Sequence, residues 1–341
     1  MNSDAAIAEQ FVRTLAAFVV GGAGLIGVSR ALVRRQHRSG PPAALVGGAV
    51  SLSGVDQATS SLSPETAVPP TAVPEPTVLK TPLWVRLGTL LALAVAVFVP
   101  AFVSLQAWAG VVCVLVTVAL AEFWALLEKV GVAPHRLSGF LAGLALPVAA
   151  YLGGPAALLP ALMAAFLLLA TVTLLSRGEG TVLQRLAGAW LGVCYVGLLG
   201  AFWILIHRAG GFGALVFFLM VVQLADVGGL MAGILGGRHK LAPALSPNKT
   251  WEGLAGSVLA AALAAWAFAF ALPTHGLPLL CAVGVLLALA GLVGDLLASA
   301  FKRSGGLKDF GQVLPGHGGV LDRFDGYLFT APIFWALLTW A

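Results

Sequence analysis

The sequence predicts an all-α polytopic integral membrane protein with about ten transmembrane helices, a nine-helix body plus one N-terminal helix, and an active site at the cytoplasmic face. Three observations carry that prediction. Of the 341 residues, 59% are hydrophobic and only 10% are charged, with a mean hydropathy of +0.97. A soluble domain carries about 25% charged residues. Long apolar runs recur, each approaching the about 20 residues that an α-helix needs to cross a bilayer. Lys and Arg gather on one side of those runs, the positive-inside pattern.

The first run covers about 12–31. It is not a secretory signal, because Asp4 and Glu9 precede it and Arg30, Arg34, Arg35 and Arg38 follow it. Gly22, Gly24 and Gly27 spell G-x-G-x-x-G inside it. Without a surrounding βαβ unit they read as small residues for close helix packing. Residues 39–82 hold eight prolines and one basic residue, Lys80, and read as a flexible cytoplasmic linker. The chain thus divides into an N-terminal helix with a basic flank, 1–38, the linker, 39–82, and a membrane-embedded domain, 83–341. Removal of residues 1–80 is expected to leave that domain active.

The body comprises runs at about 84–105, 107–127, 137–152, 155–175, 186–206, 212–234, 253–272, 277–300 and 325–341. With the loop after the first run inside, the inner loops are 32–83, 128–136, 176–185, 235–252 and 301–324. Seventeen of the 19 Lys and Arg then lie inside, and only Arg13 and Arg208 lie outside. Both termini face away from the cytoplasm in this arrangement. The net charge of +5 is a topology signal and implies no nucleic-acid partner. Cys113, Cys194 and Cys281 all fall within predicted spans, which argues against a disulfide framework.

Ionisable chemistry concentrates in two regions, 226–253 and 294–325. Asp226 and Asp295 lie inside the inner ends of their spans, where an ionised carboxylate costs roughly 2.5–3.5 kcal/mol and needs a partner or a cation. Asp322 and Asp325 stand at i, i+3 on the last helix and share a face. Converging carboxylates call for a divalent cation, and Mg²⁺ suits carboxylates together with substrate phosphates. Lys249, Lys302, Arg303, Lys308 and Arg323 outnumber what those acids require and suit a polyphosphate. Gly305, Gly306, Gly311, Gly316, Gly318 and Gly319 allow close backbone approach to phosphate. Ser246 and Pro247 read as the N-cap and first position of the eighth span, itself an anion site.

These residues also admit plainer roles. Asp226 reads equally as a buried hydrogen-bond partner, Lys302 and Arg303 as membrane anchors, and His317 as a turn residue. Arg238, His239 and Lys240 read as surface or headgroup contacts. Glu122, deep in the third span, shows no partner in the sequence. The plain readings do not explain why acids, bases, glycines and histidine coincide. Together they point to metal-dependent phosphoryl or nucleotidyl transfer at the inner membrane face.

"SAFKRSGGLKDFGQVLPGHGGVLDRFD", residues 299–325, resembles the signature of phosphatidate cytidylyltransferases, S-x-x-K-R-x4-K-D, then P-G-H-G-G and D-R-x-D. "SPNKTWEG" upstream is similar to that family's S-P-x-K-T-x-E-G segment. The resemblance covers roughly 84–341. It implies that CTP and phosphatidic acid give CDP-diacylglycerol and pyrophosphate with Mg²⁺, at the inner (plasma) membrane. It implies metal ligands at Asp295 and Asp322 and catalytic roles for Asp226, Lys249, Lys302, Arg303, Lys308, Asp309, His317, Arg323 and Asp325. Substrate contacts fall on Ser246, Asn248, Thr250, Ser299, Gly318 and Gly319. Where many members have D-x-G-A-Y and a later basic residue, this chain has Asp226, Val227, Gly228, Gly229, Leu230 and Ile234. A second cation and a homodimer are compatible with the sequence, which fixes neither. Another CTP- or polyprenol-dependent membrane transferase or lipid kinase shares this carboxylate–base logic, and a transporter shares the buried acids.

Overall fold

The computed structural model describes residues 4–14, 82–314 and 318–340. Most of the first predicted span, nearly all of the linker, and His317 lie outside the described residues. Residues 4–14 are helical. From there the described elements are α1 (Leu83–Val103), α2 (Leu105–Lys129), α3 (Arg136–Gly153), α4 (Leu158–Leu175), α5 (Val182–Gly192), a π-helical turn (Val193–Leu198), α6 (Leu199–Gly236), α7 (Trp251–Ala267), α8 (Leu277–Ser304) and α9 (Leu321–Trp340). Among the described residues four stretches are long and apolar enough to span a membrane: Leu105–Lys129, Arg136–Leu175, Val182–Gly236 and Leu277–Ser304. The chain is an α-helical membrane protein. Its outward surface agrees, with Leu167, Leu175, Leu259 and Trp266 exposed.

Local chemistry sets the helix ends. Ser104 breaks α1 from α2, and its side chain accepts from Ala107 N at 3.1 Å. Thr181 and Gln184 form a capping box at the start of α5. Gly154 (φ 66°) ends α3, and Gly211 (φ 65°) kinks α6 into two helical arms. That left-handed conformation disfavours any side chain.

The loops collect at two ends. At one end, Ala133 N donates to Glu179 O at 3.3 Å, joining the connections after α2 and α4. The connection after α8 reaches the same end, where Gly305 abuts Leu126. At the other end, His207 Nε2 pairs with Ala101 O at 2.7 Å and Arg208 Nη1 donates to Tyr151 O at 2.7 Å.

One expectation is corrected here. Residues 246–250 do not begin a helix. β2 (Ser246–Thr250) pairs antiparallel with β1 (Lys240–Ala242), with Lys240 opposite Thr250 and Ala242 opposite Ser246. Pro247 disfavours the helical region at Ser246. The true N-cap is Thr250, whose hydroxyl accepts from Gly253 N at 3.0 Å. The fold is therefore helical with one small two-stranded sheet, and that sheet displays Lys249.

Aromatic packing fixes the centre. Phe217 and Phe218 stack on Phe334 with ring centroids 5.7 and 5.3 Å apart, tying α6 to α9. α6 and α7 meet along small residues. A Cβ on Gly228 would fall 2.2 Å from Ala260 Cβ, and one on Gly256 would fall 2.3 Å from Ala232 Cβ. Only glycine permits that approach, which brings Asp226 beside the hairpin.

Candidate active site

α1, α6, α7, α8, α9 and the hairpin enclose a cavity of about 910 Å³. Most of the residues singled out in the sequence line it: Asp226, Ser246, Asn248, Lys249, Thr250, Asp295, Ser299, Lys302, Asp322, Arg323 and Asp325. They come from three helices, α6, α8 and α9, and from strand β2, far apart in sequence.

Lys249, from β2, forms an ion pair with Asp295 Oδ2 of α8. Asp226 of α6 and Asp325 of α9 lie within electrostatic reach of the same lysine and of Asp295. Burial alone would lower the Lys249 pKa, but the Asp295 carboxylate, helped by Asp226 and Asp325, outweighs it and raises the value. Three carboxylates thus face one lysine.

Asp322 anchors a second group. Its Oδ1 accepts from Lys302 Nζ at 2.9 Å, and its Oδ2 accepts from Phe310 N at 2.8 Å and Gly319 N at 3.0 Å. Lys302 Nζ also lies 5.2 Å from the centroid of the Phe310 ring. The connection from α8 to α9 is thereby folded back onto the first turn of α9. Gly318 (φ 82°) completes this fold: Leu314 N donates to its carbonyl at 2.9 Å, and a Cβ there would lie 3.3 Å from Asp322 Oδ2.

Other predicted residues stand apart. Arg303 is exposed, and its Nη1 donates to Leu307 O at 3.1 Å, closing the end of α8. Lys308 and Asp309 belong to the folded-back connection and do not line the cavity.

Three residues outside the predicted set hold the site. Glu122 of α2 is 6% exposed and accepts from Val320 N at 3.0 Å and Leu321 N at 2.7 Å. It therefore caps α9, the helix carrying Asp322, Arg323 and Asp325. Gly311 and Gly319 pack so closely on its carboxylate that a Cβ would fall 2.4 and 2.6 Å from Oε1. The signal in the sequence was an acid deep in an apolar run, but its partner lay 198 residues away. Tyr195 sits in the π-helical turn, buried against Phe301 at 5.3 Å, within electrostatic reach of Asp325, Asp295 and Asp322. Its hydroxyl has no hydrogen-bond partner among the described residues. Gln223 lines the cavity one helical turn before Asp226.

Carboxylates, lysines and an arginine in one membrane-depth cavity suit a phosphorylated ligand with an apolar part. Comparison with known proteins agrees. A family model described as the cytidylyltransferase family matches residues 84–341. A phosphatidate cytidylyltransferase of Staphylococcus epidermidis is 38% identical over 181 residues, 53% of this chain and 69% of that protein. The enzymes of the same name from Staphylococcus haemolyticus and Staphylococcus aureus are 37% and 35% identical over the same shares. The chain belongs to the phosphatidate cytidylyltransferase family.

Proposed function

We propose that this protein transfers CMP from CTP to phosphatidic acid, giving CDP-diacylglycerol for phospholipid synthesis, with pyrophosphate as the second product. The observation that carries the reading is the convergence of Asp226, Asp295 and Asp325 on Lys249 in a cavity whose far wall is apolar. A phosphatidate phosphate oxygen attacks the α-phosphorus of CTP. A new P–O bond forms, the bond from the α-phosphorus to the bridging oxygen breaks, and pyrophosphate leaves. The attacking phosphomonoester is already ionised, so no protein nucleophile is required. The chain's own work is positioning and charge neutralisation. Lys249 and Lys302 offset the phosphate charge, Arg323 clamps the departing pyrophosphate, and Ser246, Asn248, Thr250 and Ser299 orient the substrates.

The donor set fits Mg²⁺. Asp226 and Asp325 flank the Lys249–Asp295 pair, and Lys302 pairs with Asp322, so acids and bases alternate around the place a phosphate-bound cation would take. An ionised carboxylate offers about four lone-pair sites, and among the described residues three of those on Asp322 are taken, by Lys302, Phe310 and Gly319. Among the described residues no three His, Cys, Asp or Glu side chains stand together at ligating distance. Asp295 and Asp322 would be the carboxylates that hold the ion beside the substrate phosphates, in keeping with the small number of protein ligands Mg²⁺ takes. When bound, the ion supplies charge neutralisation at the α-phosphate.

We further propose ten spans in the inner (plasma) membrane with the cavity opening to the cytoplasm, where CTP is found, while acyl chains stay in lipid. The bias of Lys and Arg toward the loops at that end supports this orientation. Residues 84–341 carry the activity, and 39–82 serve as a tether.

The test is purified protein in nanodiscs supplied with CTP and phosphatidic acid. CDP-diacylglycerol and pyrophosphate should appear in equal amounts and only with Mg²⁺. Phosphorylation of a lipid alcohol by CTP instead would replace this reading with a lipid kinase.

A further inference from the structure

Gln223 and Asp226 line the same cavity from α6. Three residues of helix separate them, roughly 4.5 Å along the axis. Around Gln223 the wall changes character. On one side lie Asp226, Lys249 and Asp295. One turn further along α6 the lining becomes Leu219 and Met220, and α1 adds Val97 and Phe98. A side-chain amide therefore stands between Asp226 and this apolar stretch, and Val227, Leu230 and Ile234 add a second apolar stretch beyond Asp226.

Its orientation is fixed. The Tyr327 hydroxyl donates to Gln223 Oε1 at 3.0 Å. Tyr327 is 7% exposed, and its ring meets Phe218 edge-on with centroids 6.0 Å apart. With Oε1 engaged, Nε2 keeps two donors, and among the described residues it has no protein partner. Gln223 is exposed to the cavity, so those two donors are open to a ligand acceptor there.

We infer that Gln223 recognises the ester-linked glycerol backbone of the lipid substrate, its Nε2 donating to an acyl ester carbonyl while the phosphate lies one turn away beside Asp226, Lys249 and Asp295. This rests on the reading of the cavity as a phosphatidate site. The spacing suits that ligand, because only the glycerol carbons separate its phosphate from its first ester carbonyl. The apolar wall beyond Gln223 suits acyl chains and does not suit a cytosine or ribose.

The test compares diacyl phosphatidate with its dialkyl ether analogue, which lacks the carbonyls. Binding of each is measured in detergent micelles without CTP, and KM for CTP is measured separately. Wild type should bind the ester roughly 2–10-fold more tightly than the ether, the scale of one neutral hydrogen bond. Gln223→Met keeps the length and removes the donors. It should bind both lipids alike, with KM for CTP unchanged. Tyr327→Phe, which releases Oε1, should give an intermediate ratio, and it decides the matter with wild type if Gln223→Met does not fold. An unaltered ester-to-ether ratio in these variants, a wild-type ratio of one, or a loss that appears in KM for CTP would overturn the assignment. A wild type that prefers the ester but forms no CDP-diacylglycerol would count against the proposed reaction and leave the contact standing.

Discussion

Asp295 and Asp322 differ in how they are held, and that difference makes them testable. Asp295 is paired with one lysine, whereas Asp322 also fixes two backbone N–H groups. Asn at either position keeps the size and loses the charge. Each variant should lower kcat by at least about 10²-fold, the scale of one electrostatic stabiliser. Asp322→Asn should also lower the melting temperature, because an amide oxygen turned to accept from those two N–H groups sets the side-chain NH2 against Lys302 Nζ. Unchanged turnover and Mg²⁺ dependence in either variant would remove that residue from the metal site. Asp309→Asn and Arg303→Ala should cost far less, since neither side chain lines the cavity. Glu122 makes the complementary case. Glu122→Ala leaves the N–H groups of Val320 and Leu321 without an acceptor, at roughly 1–3 kcal/mol for each. Both thermal stability in detergent and kcat should fall, and a fully stable, active variant would deny Glu122 its capping role. Most charged residues of the cavity could be read from the chain because they fall within compact motifs. Glu122, Gln223 and Tyr195 could not, because each acts on a partner brought near only by helix packing.

At the scale of elements, the seam between α6 and α7 decides whether the acids and the hairpin meet. Gly228 and Gly256 face each other's backbone, and a Cβ on Gly256 would fall 2.7 Å from Gly228 O. Gly256→Val should therefore push the helices apart, separating Asp226 from Lys249, with a lower melting temperature and at least about a 10-fold loss of kcat/KM, comparable to about 1.4 kcal/mol. Gly110→Ala is the control: nothing lies within 4 Å of its added Cβ, and helix propensity should stabilise it by about 0.5–1 kcal/mol. Equal effects of the two substitutions would show that the seam is not tight. Helix placement was readable because apolar runs and their breaks follow the helices, although the run 186–206 covers α5, the π-helical turn and the first arm of α6, and 212–234 its second arm beyond the Gly211 kink. The hairpin was not, because the Ser-Pro pair that opens β2 also suits a helix start. Only the pairing with Lys240–Ala242 distinguishes the two.

At the scale of the molecule, the N-terminal residues are more than a tether. Phe11 is 7% exposed, its ring centroid 4.9 Å from that of Phe98 and 6.3 Å from that of Phe268. Phe98 in turn lines the cavity. A protein lacking residues 1–80 should thus lose thermal stability, with aromatic contacts of about 0.5–1.5 kcal/mol each removed, while keeping the activity that the sequence leads one to expect. Orientation is the property that joins all the elements, and it rests on charge. The connections after α2, α4, α6 and α8 and the helix ends that flank them carry most of the described Lys and Arg, and those after α2, α4 and α8 meet at one end through the Ala133–Glu179 bond and the Gly305–Leu126 contact. Single cysteines can report on both ends once Cys113, Cys194 and Cys281 are replaced by Ala. Ala244→Cys lies in the hairpin turn and Val313→Cys in the connection after α8, both at exposed positions. Thr274→Cys lies at an exposed position in the connection between α7 and α8. An impermeant thiol reagent should label Thr274→Cys in intact cells and reach the other two only after permeabilisation. CTP is made in the cytoplasm, so the cavity must open on the protected side for the reaction to run. Labelling of Ala244→Cys and Val313→Cys in intact cells would invert the orientation and separate the cavity from its nucleotide.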